Sequence, residues 1–460
     1  MINFISKSRL ATTAGIVGMF FFHENNRREI LADSFLETKL KGSISSKKIE
    51  DTKKLMGKCK HACRSVMHEN GLPGLFIAVH KDGKLIWEQG MGYSDVENHV
   101  VASSNSVLRI ASISKSLTSI LVGKFIDEGK LHLEDKVSDY IPDYPYPQIS
   151  IRQLLSHTSG IRHYEKKKNE IDKQDKLKNN KEDEEESDIK EFLLNKKFKT
   201  VSESLELFKN DELLCEPGDK YSYTTHGFTL LSAIIEEAEK KHLKKLKKDE
   251  QQKNVKFATL MKRMFKDLGL KNTYLDENDP IIYNRTRFYV RDKNHKLKNS
   301  PHVDNSYKWA GGGFLSSVRD LCKFGDIVLY SFQHEDGYIT QSTANKLWSG
   351  VVKTNPDRSQ NEYGLGWAVT PEHEVCKMCR KDYFSVEHTG GAVGASSILF
   401  IRPFKNSSDS RDKKGEGING MVIAIITNME NVGLRELARE IAQLFEDNQD
   451  VVYEEKPSLS

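Results

Sequence analysis

The apolar patterns along this chain support an α+β fold, with strands near both ends and a buried helix between, and three observations supply that support. Gly74-Leu-Phe-Ile-Ala-Val-His80 and Leu85-Ile-Trp87, joined across Asp82-Gly83, read as a β-hairpin early in the chain. Runs around Ile398–Ile401 and Met421–Thr427 read as strands near its end, followed by a helix over Leu434–Phe445. Between them, Ile113, Leu117, Ile120, Leu121 and Phe125 recur at i, i+4, i+7, i+8 and i+12, a helix packed against a core, and Gly129 stops it.

The front of that helix carries the chemistry. Ser112-Ile113-Ser114-Lys115 puts a hydroxyl and an amine three residues apart, hence on one helical face, where the amine can help remove the hydroxyl proton during attack on a carbonyl. Unpaired N–H groups and the positive end of the helix dipole favour negative charge at the same place. Ser-x-x-Lys also occurs at Ser45, Ser187 and Ser410, and roughly four hits are expected by chance in a chain this rich in Ser and Lys. The other three lie in strongly polar surroundings with no buried face to hold a catalytic geometry. Only Ser112 leads an apolar helix.

Two further segments strengthen the reading. Tyr221-Ser-Tyr-Thr-Thr-His-Gly227 follows the turn Glu216-Pro-Gly-Asp219 and precedes the apolar run Phe228–Ile235, so a tyrosine there projects from a rigid loop. His388-Thr-Gly-Gly-Ala-Val-Gly394 leads into the strand run at Ser397–Ile401, where small residues allow a substrate backbone to approach. Ser-x-x-Lys, then a Tyr-x-Asn-like triplet, then a Lys/His-Thr-Gly strand, in that order, resembles the serine β-lactamase and penicillin-binding-protein superfamily, in its class C and esterase/aminopeptidase-like branch. Arg109–Thr118, Ser156–Glu165, Tyr307–Ser316 and His388–Ser397 extend the resemblance to a mitochondrial branch, and it covers about Gly71 to Phe445.

What the resemblance implies is a β-lactamase/transpeptidase-like fold, with an antiparallel sheet built from both chain ends and a helical lobe from the middle. Ser112 would be the acylated nucleophile, activated with the help of Lys115, and Tyr223 would exchange protons with it and with the leaving group. Thr225, His388, Thr389 and Gly390 would line the substrate site, and the N–H groups of Ser112 and Gly391 would form the oxyanion hole. Two departures matter: Thr225 stands where the triplet has Asn, and His388 where many members have Lys. Histidine is mostly neutral near pH 7, so a permanent cation to grip a β-lactam carboxylate is expected to be missing. A neutral Lys115 requires lowering its pKa by about three units, roughly 4 kcal/mol. Ionising Tyr223 meets a comparable penalty, so the base is assigned to the Lys115/Tyr223 pair.

The motif order implies one two-lobed catalytic domain over 71–450, although 460 residues alone suggest about three domains. It follows a 1–28 targeting segment and a 29–70 extension, and precedes a polar tail, 451–460. Charge is mixed, with a net +4, and no aromatic-laced basic patch points to nucleic acid. It concentrates in two polar insertions, 165–190 and 240–256, which cannot bury enough apolar surface to fold alone. Cys376-Lys-Met-Cys379 and Cys59-x-x-x-Cys63 would have to converge to bind zinc, and the first pair in the chain precedes the domain proper, so no metal or cofactor is expected.

Lys7 and Arg9 precede the apolar run Leu10–Phe22, with no acid before Glu24 and with Arg27 and Arg28 after it. The run is short for a span of about 20 residues, and a secretory signal is the alternative. The resemblance favours a mitochondrial transit peptide and the intermembrane space, and membrane association through the run stays open. It further implies a serine protease acting on peptides or proteins, a link to mitochondrial lipid metabolism, and a homo-oligomer or filament. The alternatives are a small-substrate esterase or β-lactamase, and a filament-forming scaffold with secondary catalysis.

Overall fold

Asp82 and Gly83 both adopt positive φ, 51° and 74°, as a two-residue turn matched to the right-handed strand twist requires. They join β1 (Gly74–Lys81) to β2 (Lys84–Asp95), whose register runs from Gly74 opposite Gly92 to Lys81 opposite Lys84. The computed structural model describes residues 46–164, 191–252, 254–355, 361–374, 381–404 and 417–448. The 1–28 segment, Ser45, the charged stretch 165–190 with Ser187, the pair Cys376 and Cys379, Ser410 and the 451–460 tail lie outside the described residues.

The strands follow in chain order: β3 (Val100–Val101), β4 (Leu108–Arg109), β5 (Tyr274–Leu275), β6 (Tyr289–Arg291), β7 (Leu297–Asn299), β8 (Phe314–Ser316), β9 (Val352–Lys353), β10 (Glu362–Tyr363), β11 (Ala368–Thr370), β12 (His373–Glu374), β13 (Lys381–Asp382), β14 (Ser385–Ala392), β15 (Ala395–Pro403) and β16 (Gly420–Thr427). Nine of them form one sheet in the order β3-β2-β1-β16-β15-β14-β11-β10-β9. β1 lies antiparallel to β16 from Leu75 opposite Thr427 to Lys81 opposite Met421, so the two chain ends meet in the middle of the sheet as expected. Every residue of β16 is buried, which is why it reads as a continuous apolar run instead of an alternating one.

The helices are α1 (Ser46–Asn70), α2 (Ile113–Asp127), α3 (Ile151–Leu155), α4 (Val201–Leu205), α5 (His226–Lys245), α6 (Asp249–Gln252), α7 (Phe257–Asp267), α8 (Trp309–Gly312), α9 (Val318–Gln333), α10 (Gln341–Trp348) and α11 (Arg435–Glu446). The stretch 240–256 is helical in part: Lys240–Lys245 close α5, α6 follows, and Leu243 and Val255 are buried. Among the described residues, chain packing separates a small unit, 46–61 with 444–448, from a large one that carries the sheet and the helices discussed below. In the large unit α9 crosses the sheet at Gly325, where a Cβ would come within 2.4 Å of Val422.

Helix α2 differs from the expected one-sided helix, because it is buried nearly all round. Its small hydroxyl residues make this tolerable, since buried hydroxyls must find partners. Ser116 Oγ donates to the Gly366 carbonyl at 2.9 Å, Thr118 Oγ1 to the Ala310 carbonyl at 2.9 Å, and Ser119 Oγ accepts from Trp367 Nε1 at 3.0 Å. At its end, Gly129 (φ 65°) donates to Ile126 O and Lys130 to Phe125 O, the glycine stop read from the sequence.

Just before α2, β4 is tied down by a buried ion cluster. Arg109 Nε meets Asp276 Oδ2 at 2.8 Å and Arg109 Nη1 donates to Val393 O at 2.8 Å; Arg285 and Asn305 complete the coordination of Asp276. Burial alone would raise the Asp276 pKa, but Arg109 and Arg285 hold it below the ordinary carboxylate value. A depressed folded-state pKa stabilises above the unfolded value, and that stability is lost as pH falls through the folded one. Asp276→Ala should cost about 3–5 kcal/mol in chemical denaturation at pH 7, because it strands two arginines. The wild type's contribution from this carboxylate should vanish only below the usual carboxylate range, in a stability titration against pH.

Candidate active site

Ser112 is the N-cap of α2, and it follows Ala111, which sits at φ 49°. A left-handed alanine is strained by about 1–3 kcal/mol. The Ser112 side chain makes no capping bond, although an N-cap serine ordinarily accepts from the first turn of its helix. Its Oγ instead accepts from the Tyr223 hydroxyl at 2.7 Å and lies 3.2 Å from Lys115 Nζ.

Lys115 is fully buried. Its Nζ donates to the Gly311 carbonyl at 2.5 Å, lies 3.3 Å from Thr225 Oγ1, and sits 4.7 Å from the Tyr223 ring centre. Burial, assisted by the charge of Lys308, pushes the Lys115 pKa well below its ordinary value. Burial drives Tyr223 the other way, far above its ordinary value, against the smaller opposing effect of its bond to Ser112. Within the pair to which the base is assigned, burial thus favours an amine that loses its proton readily beside a phenol that keeps its own. Such a pair can take a proton from Ser112 on one side and offer one on the other.

The sheet supplies the opposite wall through β14. A strand alternates its faces, and here Thr389 and Gly391 are exposed to the cleft while His388 and Gly390 are buried. A Cβ on Gly391 would meet nothing within 4 Å, whereas one on Gly390 would lie 2.4 Å from Ile110 O and 2.9 Å from Ala111 Cβ. Gly391 thus leaves room for a substrate backbone, and Gly390 lets the strand pack on the segment that presents Ser112. His388 faces away from the Ser112 cavity, toward Tyr363, and burial with the nearby Lys115 charge lowers its pKa to about 3.

A cavity of about 340 Å3 lies over Ser112, lined by Tyr223, Thr225, Thr389 and Gly391 together with residues to which the sequence assigned no part: His163, Tyr164, Phe192 and Lys308. Thr225 N donates to His163 Nδ1 at 3.2 Å, fixing one neutral tautomer. Lys308 is only 4% exposed, its Nζ lies within 4.6–5.2 Å of the Phe192, Tyr307 and Tyr164 ring centres, and burial with the Arg109 charge lowers its pKa to about 7. Among the described residues no carboxylate pairs with it. Lys308 is thus an amine charged only in part near pH 7, short of a permanent cation; it belongs to the Tyr307–Ser316 segment but carries no spacing signal tying it to Ser112.

Tyr164 and Phe192 flank the charged stretch 165–190, and both line the cavity. Arg162 anchors the returning chain through both Glu191 oxygens, at 2.9 Å each, and His226 Nε2 adds a contact at 3.0 Å. Burial would raise the Glu191 pKa, but the bonds from His226 and Arg162 hold it at about 2. The described residues on either side of 165–190 thus lie at the cavity wall.

A family model described as Beta-lactamase matches residues 60–445. The human serine beta-lactamase-like protein LACTB, mitochondrial, is 37% identical over 446 residues, which cover 83% of this chain and 79% of its own. The octameric penicillin-binding protein homologue from Pyrococcus abyssi matches with a TM-score of 0.63 at 21% identity, over 86% of this chain and 78% of that one. A class C beta-lactamase mutant matches with a TM-score of 0.62 at 15% identity, over 86% and 98%. By the extent of the family match and the identity to its animal relatives, this chain belongs to the beta-lactamase family, among the serine beta-lactamase-like hydrolases.

Proposed function

We propose that the protein is a mitochondrial serine hydrolase that cleaves peptide or ester bonds through an acyl-enzyme on Ser112. The observation that carries the proposal is the contact set of one oxygen: Ser112 Oγ, 3.2 Å from a buried amine and 2.7 Å from a phenol that stays protonated. As Oγ bonds to the substrate carbonyl carbon, its proton passes to Lys115 Nζ. The carbonyl oxygen gains negative charge, received by the N–H groups of Ser112 and Gly391 at the helix N-terminus and strand edge. Collapse breaks the bond to the leaving amine or alkoxide, which takes a proton from Tyr223, and Lys115 returns one to Tyr223. Water then repeats the sequence in reverse to free Ser112.

The mitochondrial address is supported by the name of the human relative and by the basic, acid-free N-terminus ahead of Glu24. A proteolytic role in mitochondrial lipid metabolism, and assembly into homo-oligomers or filaments, rest on the resemblance alone. A second reading, hydrolysis of small esters or lactams, is favoured by Lys308, which can offer its amine to an anionic group in the cavity.

Ser112→Ala should abolish covalent labelling by a fluorophosphonate and lower turnover by roughly ten-thousand-fold, with the labelled peptide of the wild type mapping to Ser112. Labelling retained in the variant, or mapped to Ser45, Ser187 or Ser410, would overturn the assignment. Lys308→Met removes a positive charge that helps to keep Lys115 neutral, so the Lys115 pKa rises and the acid limb of kcat/KM moves to higher pH. The same variant should lose more kcat/KM on a carboxylate-bearing cephalosporin than on p-nitrophenyl acetate. Equal losses on both would exclude an anion-binding part for Lys308.

A further inference from the structure

The buried face of β14 carries a hydrogen-bond chain that the acyl-transfer scheme does not use. His157 is wholly buried, at φ 59°, and its Nδ1 accepts from the backbone N–H of Thr224 at 3.1 Å. A backbone donor cannot reverse, so the proton of neutral His157 is on Nε2, which donates to the Tyr363 oxygen at 3.2 Å. Tyr363, 3% exposed, must then donate its own proton to His388 Nε2 at 3.0 Å, and His388 Nδ1–H donates to the Thr389 carbonyl at 2.7 Å. The Thr224 amide at one end and the Thr389 carbonyl at the other thus orient every donor in the chain the same way. The chain runs from the loop that holds Tyr223, whose ring centre is 4.3 Å from that of His157, to the strand that holds Thr389 and Gly391.

We propose that Tyr363 is a positioning residue which, through His157 and His388, holds the Tyr223 loop and strand β14 at a fixed spacing on the two sides of Ser112. His388 is on this account a neutral hydrogen-bond acceptor within the frame, and the substrate does not meet it as a cation. The requirement at position 388 is a side chain that accepts from Tyr363, which lysine cannot do while protonated. A displacement of about 1 Å in a reacting group is enough to lower a rate about a hundredfold, so the span between the two walls matters even though Tyr363 touches neither Ser112 nor Lys115.

The inference rests on Ser112 as nucleophile, and the test separates the two. Tyr363→Phe keeps the ring and removes one hydroxyl. Its kcat on p-nitrophenyl acetate should fall about 10- to 100-fold while KM stays within about threefold, and 15N NMR should show the His388 Nε2 resonance shifting as it loses the bond from Tyr363, with Nδ1–H still held by the Thr389 carbonyl. His388→Gln, whose amide oxygen can take the Tyr363 bond, should keep more activity than His388→Leu, a comparison that does not require the Phe variant to fold. Wild-type kcat in Tyr363→Phe, an unchanged His388 Nε2 resonance, or equal losses in the Gln and Leu variants would each overturn the proposal. A wild-type enzyme that fluorophosphonate does not label at Ser112 would remove the nucleophile reading itself. Wild type and Tyr363→Phe labelled at Ser112 at the same rate would remove only this inference.

Discussion

A lysine amine with no exposure to water is the constraint on which the site depends. Charged, it would demand several kcal/mol of compensation, and the contacts around Lys115 Nζ are uncharged: a serine hydroxyl, a threonine hydroxyl, a backbone carbonyl and two aromatic faces. They solvate a neutral amine. Gly311 offers its carbonyl only because it lacks a Cβ, which would come within 2.7 Å of Thr225 Cγ2. The hydroxyls of Ser112 and Thr225 come from the N-caps of α2 and α5, and neither makes a capping bond. Each forgone cap is worth about 0.5–2 kcal/mol, so two helices are left weaker at their ends to furnish one amine with partners.

Compensation comes from the frame. The strained Ala111 is bracketed by Arg109, locked to Asp276, and by α2, whose buried hydroxyls are satisfied by carbonyls from Ala310 and Gly366. Gly390 closes the bracket from the sheet side by allowing β14 to pack directly on Ile110 and Ala111. Thr224 Oγ1 accepts from Gly227 N at 3.2 Å, replacing at α5 the cap that Thr225 does not supply. Small residues and buried ion pairs therefore concentrate where the backbone cannot relax.

Charge within the cleft is held close to neutrality. Lys115 and the histidines 157, 163 and 388 are all shifted toward their neutral forms, chiefly by burial. Lys308, with a pKa of about 7, is poised between forms. An anionic group entering the cavity would raise that pKa and charge the lysine.

The sequence by itself determined what is local. The hairpin at Asp82-Gly83, the end of α2 at Gly129, and the reach from Lys115 to Ser112 each depend on residues within a turn of one another, so spacing suffices to read them. The order of the Ser-x-x-Lys, Tyr-x-Thr and His-Thr-Gly segments then made Tyr223, Thr225, Thr389 and Gly391 legible as one wall. Only the tertiary structure decided the charge states, the part played by Lys308, and the direction in which His388 points. Lys115 meets Thr225 and Gly311 across 110 and 196 residues, and His157 meets Tyr363 across 206. Burial and hydrogen bonding at such separations arise when the sheet and the helices close on each other, and no short stretch of sequence carries a signal of them.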